Sequence, residues 1–304
     1  MAVAVLPVRI PCVTIVITIG CGYVQALFKA MRYFEEWGEW MHLFDRDIRF
    51  EAQSAGIYNG NISGDWSING TPNGGYLVAI ATAGLLQSSH KNQTPVLTAN
   101  FISRCGPGQA DLSTWEIACS KQFCRMEARL IQQGREKMRM LATFADEIDN
   151  CLLRRYEQAP PDMLPPEECV QFPKIPGYTL YDNADVRLDP SCAGWMENRL
   201  SPVSEIKGWF SFKKPRPYDY CSVALAADAF PPAVLASQGM VAWVPTLEIS
   251  INIRNVPRTR WLKCRFVTRF INCGLLEEDG EIWDEAGELV AISRQIAQLR
   301  QAVS

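Results

Sequence analysis

A chain of 304 residues that is 48% hydrophobic and 21% charged has a globular profile, long enough for one large or two ordinary domains. A formal charge of −3, with basic residues scattered rather than clustered, excludes the electrostatic footprint of a nucleic-acid binder. The 11 cysteines form an odd set without a CxxC pair, which argues against a disulfide framework or a zinc site and for free thiols in a cytoplasmic or other reducing compartment.

The opening stretch "AVAVLPVRIPCVTIVITIGCGYVQALF" is long enough to span a bilayer, yet Pro7, Arg9 and Pro11 interrupt it. Residues 1–41 are therefore read as a hydrophobic extension that need not belong to the fold, with membrane anchoring through residues 2–28 left open. Three N-x-[ST] sequons, at Asn61, Asn69 and Asn92, are read as chance, because a glycan on Asn69 would block the glycine turn beside it.

From residue 42 the chain reads as a unit that is later repeated. "IRFEAQ" alternates like a strand, and Tyr58 to Gly70 is polar and turn-rich. "GTPNGGYLVAIATAGLLQ", residues 70–87, then opens on a glycine turn and runs on without a charge. A helix that is apolar all round is either in a membrane or wrapped by protein. Tyr76 to Leu86 is too short, and too rich in alanine and glycine, to span a bilayer. The segments "VLTANFISR", "DLSTWEIACS", "QFCRMEARLIQQ" and "KMRMLATFAD" follow, mostly separated by turn signals, and predict an antiparallel meander that can curl round the helix.

Residues 151–177 read as a linker, proline-dense and extended from residue 157, outside either core. Beyond it the order of parts returns. "ADVRLD" and "KGWFSFKK" are candidate strands, and "YCSVALAADAF" is a second charge-poor helix stopped by Pro231-Pro232. "TLEISINIR", "RWLKCRFVTRF", "GEIWDE" and "ELVAISRQIAQLR" supply strands again. An internal duplication of about 110 to 130 residues per copy follows. The expected fold is α+β, a tandem (double) hotdog with two antiparallel sheets, each wrapped around a central apolar helix. Its halves are placed at 42–150 and 178–304.

"DWSINGTPNGGYLVA", "TANFISRCGPGQADLS" and "RLIQQGREKMRMLATFAD" resemble the N-terminal half of acyl-CoA thioesterase II-type double-hotdog proteins. "ALAADAFPP", "VPTLEISINIR" and "GEIWDEAGELVAISRQIAQLR" resemble the C-terminal half. The resemblance spans residues 42 to 300 apart from the linker. It implies hydrolysis of an acyl thioester by a water that an Asp, a Thr and a Gln hold in the second hotdog. Those residues fall on Asp228 in "AADAFPP", Thr246 in "PTLE" and Gln295 in "ISRQIA"; Glu248 departs from the family's usual Asp. The implied partner is a small-molecule acyl thioester of lipid or polyketide metabolism, with CoA as part of the substrate and no metal or redox cofactor.

Read on their own, these residues keep two meanings each. Asp228 ends an apolar helix, where a carboxylate is costly to desolvate; it is a helix-terminal acceptor or a general base. Thr246 alternates with Leu247, Ile249, Ile251 and Ile253, which places it on the polar side of its strand, as a water ligand or a plain β-former. Gln295 shares a face with Leu289, Ala291, Ser293, Ala297 and Leu299, where its amide needs a cross-strand partner or a water. Asn73, Gly74 and Gly75 open the first helix, and its unpaired N–H groups can receive a developing oxyanion where no Cβ blocks approach. The alternative is a tight turn against the sheet.

The glycines lie in the first repeat and the triad in the second, and which half supplies the oxyanion donor stays open. No GxSxG elbow, HExxH or P-loop pattern occurs, and the two histidines, His42 and His90, lie outside the motifs, which favours direct attack by water. Arg104, Arg125 and Arg254 are candidates for CoA phosphates or plain surface charges. Acyl transfer, a hydration–dehydration step and non-catalytic binding of acyl chains are the rival functions. Homo-oligomers are compatible with the sequence.

Overall fold

The computed structural model describes residues 8–10, 13–15, 41–146, 153–240 and 242–301. The chain divides into two units, Met1–Arg46 and Asp47–Ser304. In the first, the backbone of Val8–Ile10 pairs antiparallel with Val13–Ile15. Most of the hydrophobic extension at 1–41, and with it the question of an anchor, lies outside the described residues. Among the described residues no helix is long and apolar enough to cross a membrane.

The second unit carries the duplication in its topology. The first repeat runs β1 (Glu51–Ser54), β2 (Ile57–Ile62), α1 (Gly74–Ser88), β3 (Gln93–Phe101), β4 (Gly108–Cys119), β5 (Phe123–Gln132) and β6 (Arg135–Ala145). An edge strand, β7 (Val170–Gln171), precedes the second repeat. That repeat runs β8 (Ala184–Leu188), β9 (Ser204–Phe212), α2 (Tyr220–Ala226), then α3 (Val234–Gln238), β10 (Thr246–Ile253), β11 (Leu262–Thr268), β12 (Leu275–Asp284) and β13 (Leu289–Gln298). The strands lie in the order β7-β8-β9-β11-β12-β13-β10-β3-β6-β5-β4-β2-β1. Outward from the centre, β3-β6-β5-β4-β2-β1 mirrors β10-β13-β12-β11-β9-β8. The two halves fuse where β3 pairs β10, with Ala99 opposite Ile249 and Leu97 opposite Ile251. The wrapping sheets thus form one continuous surface.

Both central helices follow from their sequences. Asn73 caps α1 by accepting the Tyr76 N–H, and Gly75 to Thr82, Gly84 and Leu85 are buried. Of the two hydroxyls in that buried run, Thr82 donates to the Val78 carbonyl, and Tyr76 donates to the Asp47 carbonyl and accepts the Ser63 N–H, so neither is stranded. Asp219 and Ser222 form a capping box at the start of α2, and Cys221 to Ala226 are buried. Leu97, Ala99, Ile249 and Ile251 face the helices from the sheet, all about fully buried.

Several expectations need correction. The strand expected at "IRFEAQ" begins only at Glu51. Inside the stretch read as turn-rich, Ile57–Ile62 forms a strand that pairs with β4. The apolar segment after the linker stops being helical at Ala226, with Asp228 and Ala229 in the following turn. The proline-dense linker is bound to the core: Val170–Gln171 pairs with β8, Phe172 is buried, and the Trp209 indole N–H donates to the Leu164 carbonyl at 2.8 Å. The free-thiol reading fails at one place, because Cys119 and Cys124 face each other across the β4–β5 hairpin and are joined as a disulfide. Cys105, Cys169, Cys192, Cys221, Cys264 and Cys273 take no part in a disulfide.

Candidate active site

The N-terminus of α1 abuts the C-terminal end of α2, and Gly75 makes that approach possible. A Cβ there would lie 2.8 Å from the Ala224 carbonyl oxygen and 2.9 Å from that of Leu225. A Cβ on Gly74 would lie 2.8 Å from Asp228 Oδ2 and 2.9 Å from the Phe101 ring. Gly75 is therefore needed for close packing of one repeat's helix against the other's, and Gly74 for the approach of the Asp228 carboxylate and the Phe101 ring.

Asp228 sits in this junction. Its Oδ2 accepts the Gly75 N–H at 2.9 Å and the Asn73 Nδ2–H at 3.0 Å; the same Asn73 amide also donates to the Asp228 carbonyl at 2.7 Å. Among the described residues no hydrogen bond reaches Oδ1. Burial pushes the carboxyl up to about 6, against the opposing pull of the Gly75 N–H, the Asn73 amide and the Gly74 N–H. The positive end of the α1 dipole also favours its charged form. The amides of Asn73, Gly74 and Gly75, expected to face a substrate oxygen, converge on a protein carboxylate instead.

Thr246 and Gln295 meet on the inner face of the sheet, where the Thr246 hydroxyl donates to Gln295 Oε1 at 2.7 Å. The expectation that Thr246 faces the polar side is overturned by a β-bulge. Thr246 pairs with Ala297 while Glu248 pairs with Ile296, so Leu247 is an extra residue. Residues directly opposite share a face, and Ala297 is buried, which turns Thr246 inward. Glu248 stays on the outer face, between Ile296 and Asn100.

Glu278 has no counterpart in the sequence reading. It lies directly opposite Gln295 on β12 and is only 4% exposed. Its Oε1 accepts the Gln295 Nε2–H at 2.5 Å and its Oε2 accepts the Ala233 N–H at 2.5 Å. Burial pushes it up to about 7, with the charges of Asp228 and Glu277 adding to the rise. Asp228 and the Thr246–Gln295–Glu278 row therefore share one electrostatic neighbourhood, although no hydrogen bond joins them directly among the described residues. His90 is exposed and plays no part in it.

Comparison with known proteins decides the family. A model of the acyl-CoA thioesterase N-terminal domain matches residues 62–145, and one of the acyl-CoA thioesterase C-terminal domain matches residues 166–299. The chain belongs to the acyl-CoA thioesterase II-type double-hotdog family. Among solved structures, a candidate thioesterase II of Thermobifida fusca YX superposes with a TM-score of 0.80 at 22% identity, covering 86% of this chain and 98% of that one. An acyl-CoA thioesterase II of Mycobacterium marinum gives 0.67 at 18% identity, covering 85% and 98%. A hot dog protein of Alicyclobacillus acidocaldarius gives 0.78 at 19% identity, covering 86% and 100%. At such identities the likeness establishes the fold. No curated protein matches the sequence significantly.

In this thioesterase-family chain Asn73 has two tasks: it caps α1 and it holds Asp228. Asn73→Ala removes a cap of about 1 kcal/mol and hydrogen bonds to a charged group of about 1.5–3 kcal/mol. A stability loss of about 2.5–4 kcal/mol in urea denaturation is expected. Because the lost amide favours the charged carboxyl, the Asp228 titration should move upward, readable in the acid limb of any activity that needs the ionised form.

Proposed function

We propose that the protein hydrolyses acyl thioesters such as acyl-CoAs, with Asp228 as general base and Thr246 and Gln295 holding the attacking water. The observation that carries this reading is Asp228 itself: a carboxyl at the meeting of the two helices, pushed up to about 6 by burial, whose charge bears on Glu278, the partner of Gln295. Water gives a proton to Asp228 as its oxygen attacks the thioester carbonyl carbon. The tetrahedral intermediate then expels the thiolate with cleavage of the C–S bond. The protonated Asp228, at about 6, is acidic enough to return that proton to a thiolate whose thiol titrates at about 8.5. Asn73, Gly74 and Gly75 orient the base in this scheme, in place of the oxyanion role read from the sequence.

The test is release of free thiol from a panel of acyl-CoAs across pH. Only the ionised Asp228 accepts a proton, so kcat/KM should rise with pH through about 6 and fall about tenfold per unit below it. A flat profile, or no thiol release from any acyl length, would defeat the reading. Product formed only in the presence of an added amine or thiol acceptor would make it a transferase.

A further inference from the structure

We infer that Glu278 is a positioning residue that fixes the orientation of the Gln295 amide and ties it to the segment that follows Asp228. The inference rests on the hydrolytic reading above, in which Gln295 holds the water. A glutamine amide has a donor end and an acceptor end of nearly equal shape, and its neighbours decide which end points where. Thr246 cannot decide, because a hydroxyl can donate to the oxygen or accept from the nitrogen. Both Glu278 oxygens face N–H donors, an arrangement that suits the ionised form, and an ionised carboxylate only accepts; Oε1 therefore takes the Nε2 end of Gln295 and would repel the Oε1 end. With Nε2 held on Glu278, Oε1 is left for the Thr246 hydroxyl, as observed at 2.7 Å. One N–H of Nε2 remains unengaged among the described residues and is available to a water.

The second oxygen of Glu278 takes the Ala233 N–H, at the start of the segment leading into α3 and five residues after Asp228. A single side chain therefore bonds both the Gln295 strand and the segment that follows the base. A buried carboxylate is costly unless it is paired, and here both oxygens are engaged by N–H donors rather than by a cation. The charged groups bearing on it are Asp228 from the turn after α2 and its own neighbour Glu277 on β12. Glu277 is itself engaged by the Arg269 and Phe270 N–H groups. Thr268, buried with no partner for its hydroxyl among the described residues, lies one step beyond the Val267–Asp279 pair on the neighbouring strand and adds no charge.

The experiment is a double-mutant cycle of Glu278→Gln and Gln295→Ala, with kcat and KM measured on one acyl-CoA and folding followed by thermal denaturation. Glu278→Gln keeps the shape but offers one acceptor where the protein needs two, and it lets the Gln295 amide turn over. We expect kcat to fall about 10- to 100-fold with KM within about threefold. In the Gln295→Ala background the same change should cost no more than about twofold, since a residue acting through Gln295 has nothing left to position. Full additivity of the two losses, or a wild-type kcat in Glu278→Gln, overturns the role of Glu278 while leaving the hydrolytic reading standing. A wild-type rate in Gln295→Ala alone removes Gln295 from the water site and takes both readings with it. Should Glu278→Gln fail to fold, Glu278→Asp reads the same coupling, because it keeps the carboxylate but withdraws it by one methylene.

Discussion

If the proposed mechanism holds, Asp228→Asn should reduce acyl-thioester hydrolysis by at least about 10²-fold while leaving the fold intact, because under that mechanism it removes the base and almost nothing else. The amide oxygen of the replacement can still accept the Gly75 N–H and the Asn73 Nδ2–H that hold Oδ2 now. Proton acceptance is lost, and the loss should appear in kcat, with KM nearly unchanged. Stability supplies a second and independent readout. The folded carboxyl titrates at about 6 against an ordinary 3.8, so the folded state binds the proton more tightly than the unfolded chain. Its favourable contribution is therefore complete below pH about 4 and lost as pH rises to about 6. Denaturation of the wild type should show that decline, and Asp228→Asn should flatten this group's share of it. A variant that loses activity together with its cooperative unfolding transition would mean that Asp228 serves the fold instead.

The parts of this site that the sequence reveals are those set by periodicity and local chemistry. One run without charge and one interrupted only by Asp228 predict two wrapped helices, and the alternation of Ile249, Ile251 and Ile253 predicts an inward face on β10. What the sequence hides is whatever depends on register. Strict alternation puts Thr246 outside, and one extra residue at Leu247 puts it inside; nothing in "PTLEIS" marks a bulge. Glu278 is hidden for a related reason. In "LLEEDGEIWDE" it is one acidic residue among several and reads as a solvated charge. Only the pairing of β12 with β13 sets it opposite Gln295, where it is buried.

Some missed features did carry a signal. Asn69-Gly70 between Ile68 and Thr71 is the residue pair that a tight two-residue hairpin prefers, and both residues have positive φ, at 50° and 69°. Cys119 and Cys124, five apart and flanking a short polar turn, can face each other at the end of a hairpin. The role of the glycines had to wait for the second helix. A glycine pair that bares backbone to a ligand and one that admits a neighbouring helix have the same sequence, and only the Ala224 and Leu225 carbonyls tell them apart.

That distinction gives Gly75→Ala an effect opposite to the one helix propensity predicts. Replacing a helical glycine by alanine is ordinarily worth up to about 1 kcal/mol of stabilisation. Here the new methyl would stand 2.8 Å and 2.9 Å from two carbonyl oxygens and 3.0 Å from Asp228 Cβ. Two of the three obstacles are backbone, so the helices must separate, and overpacking of this kind costs about 1–3 kcal/mol. The clash should win, giving a net loss of stability in chemical denaturation. Separation of the helices also draws Asp228 away from the Gly75 N–H, and a displacement near 1 Å can cost about 10²-fold in rate. Gly84→Ala, in the same helix, is the control. Its methyl would meet the Leu112 Cδ2 at 2.4 Å, the far end of a flexible side chain that can rotate aside, and it lies about two and a half turns from the junction. The control should stay within about threefold of wild-type activity, whereas Gly75→Ala should not. Equal behaviour of the two variants would mean that the contact between α1 and α2 does not set the position of the base.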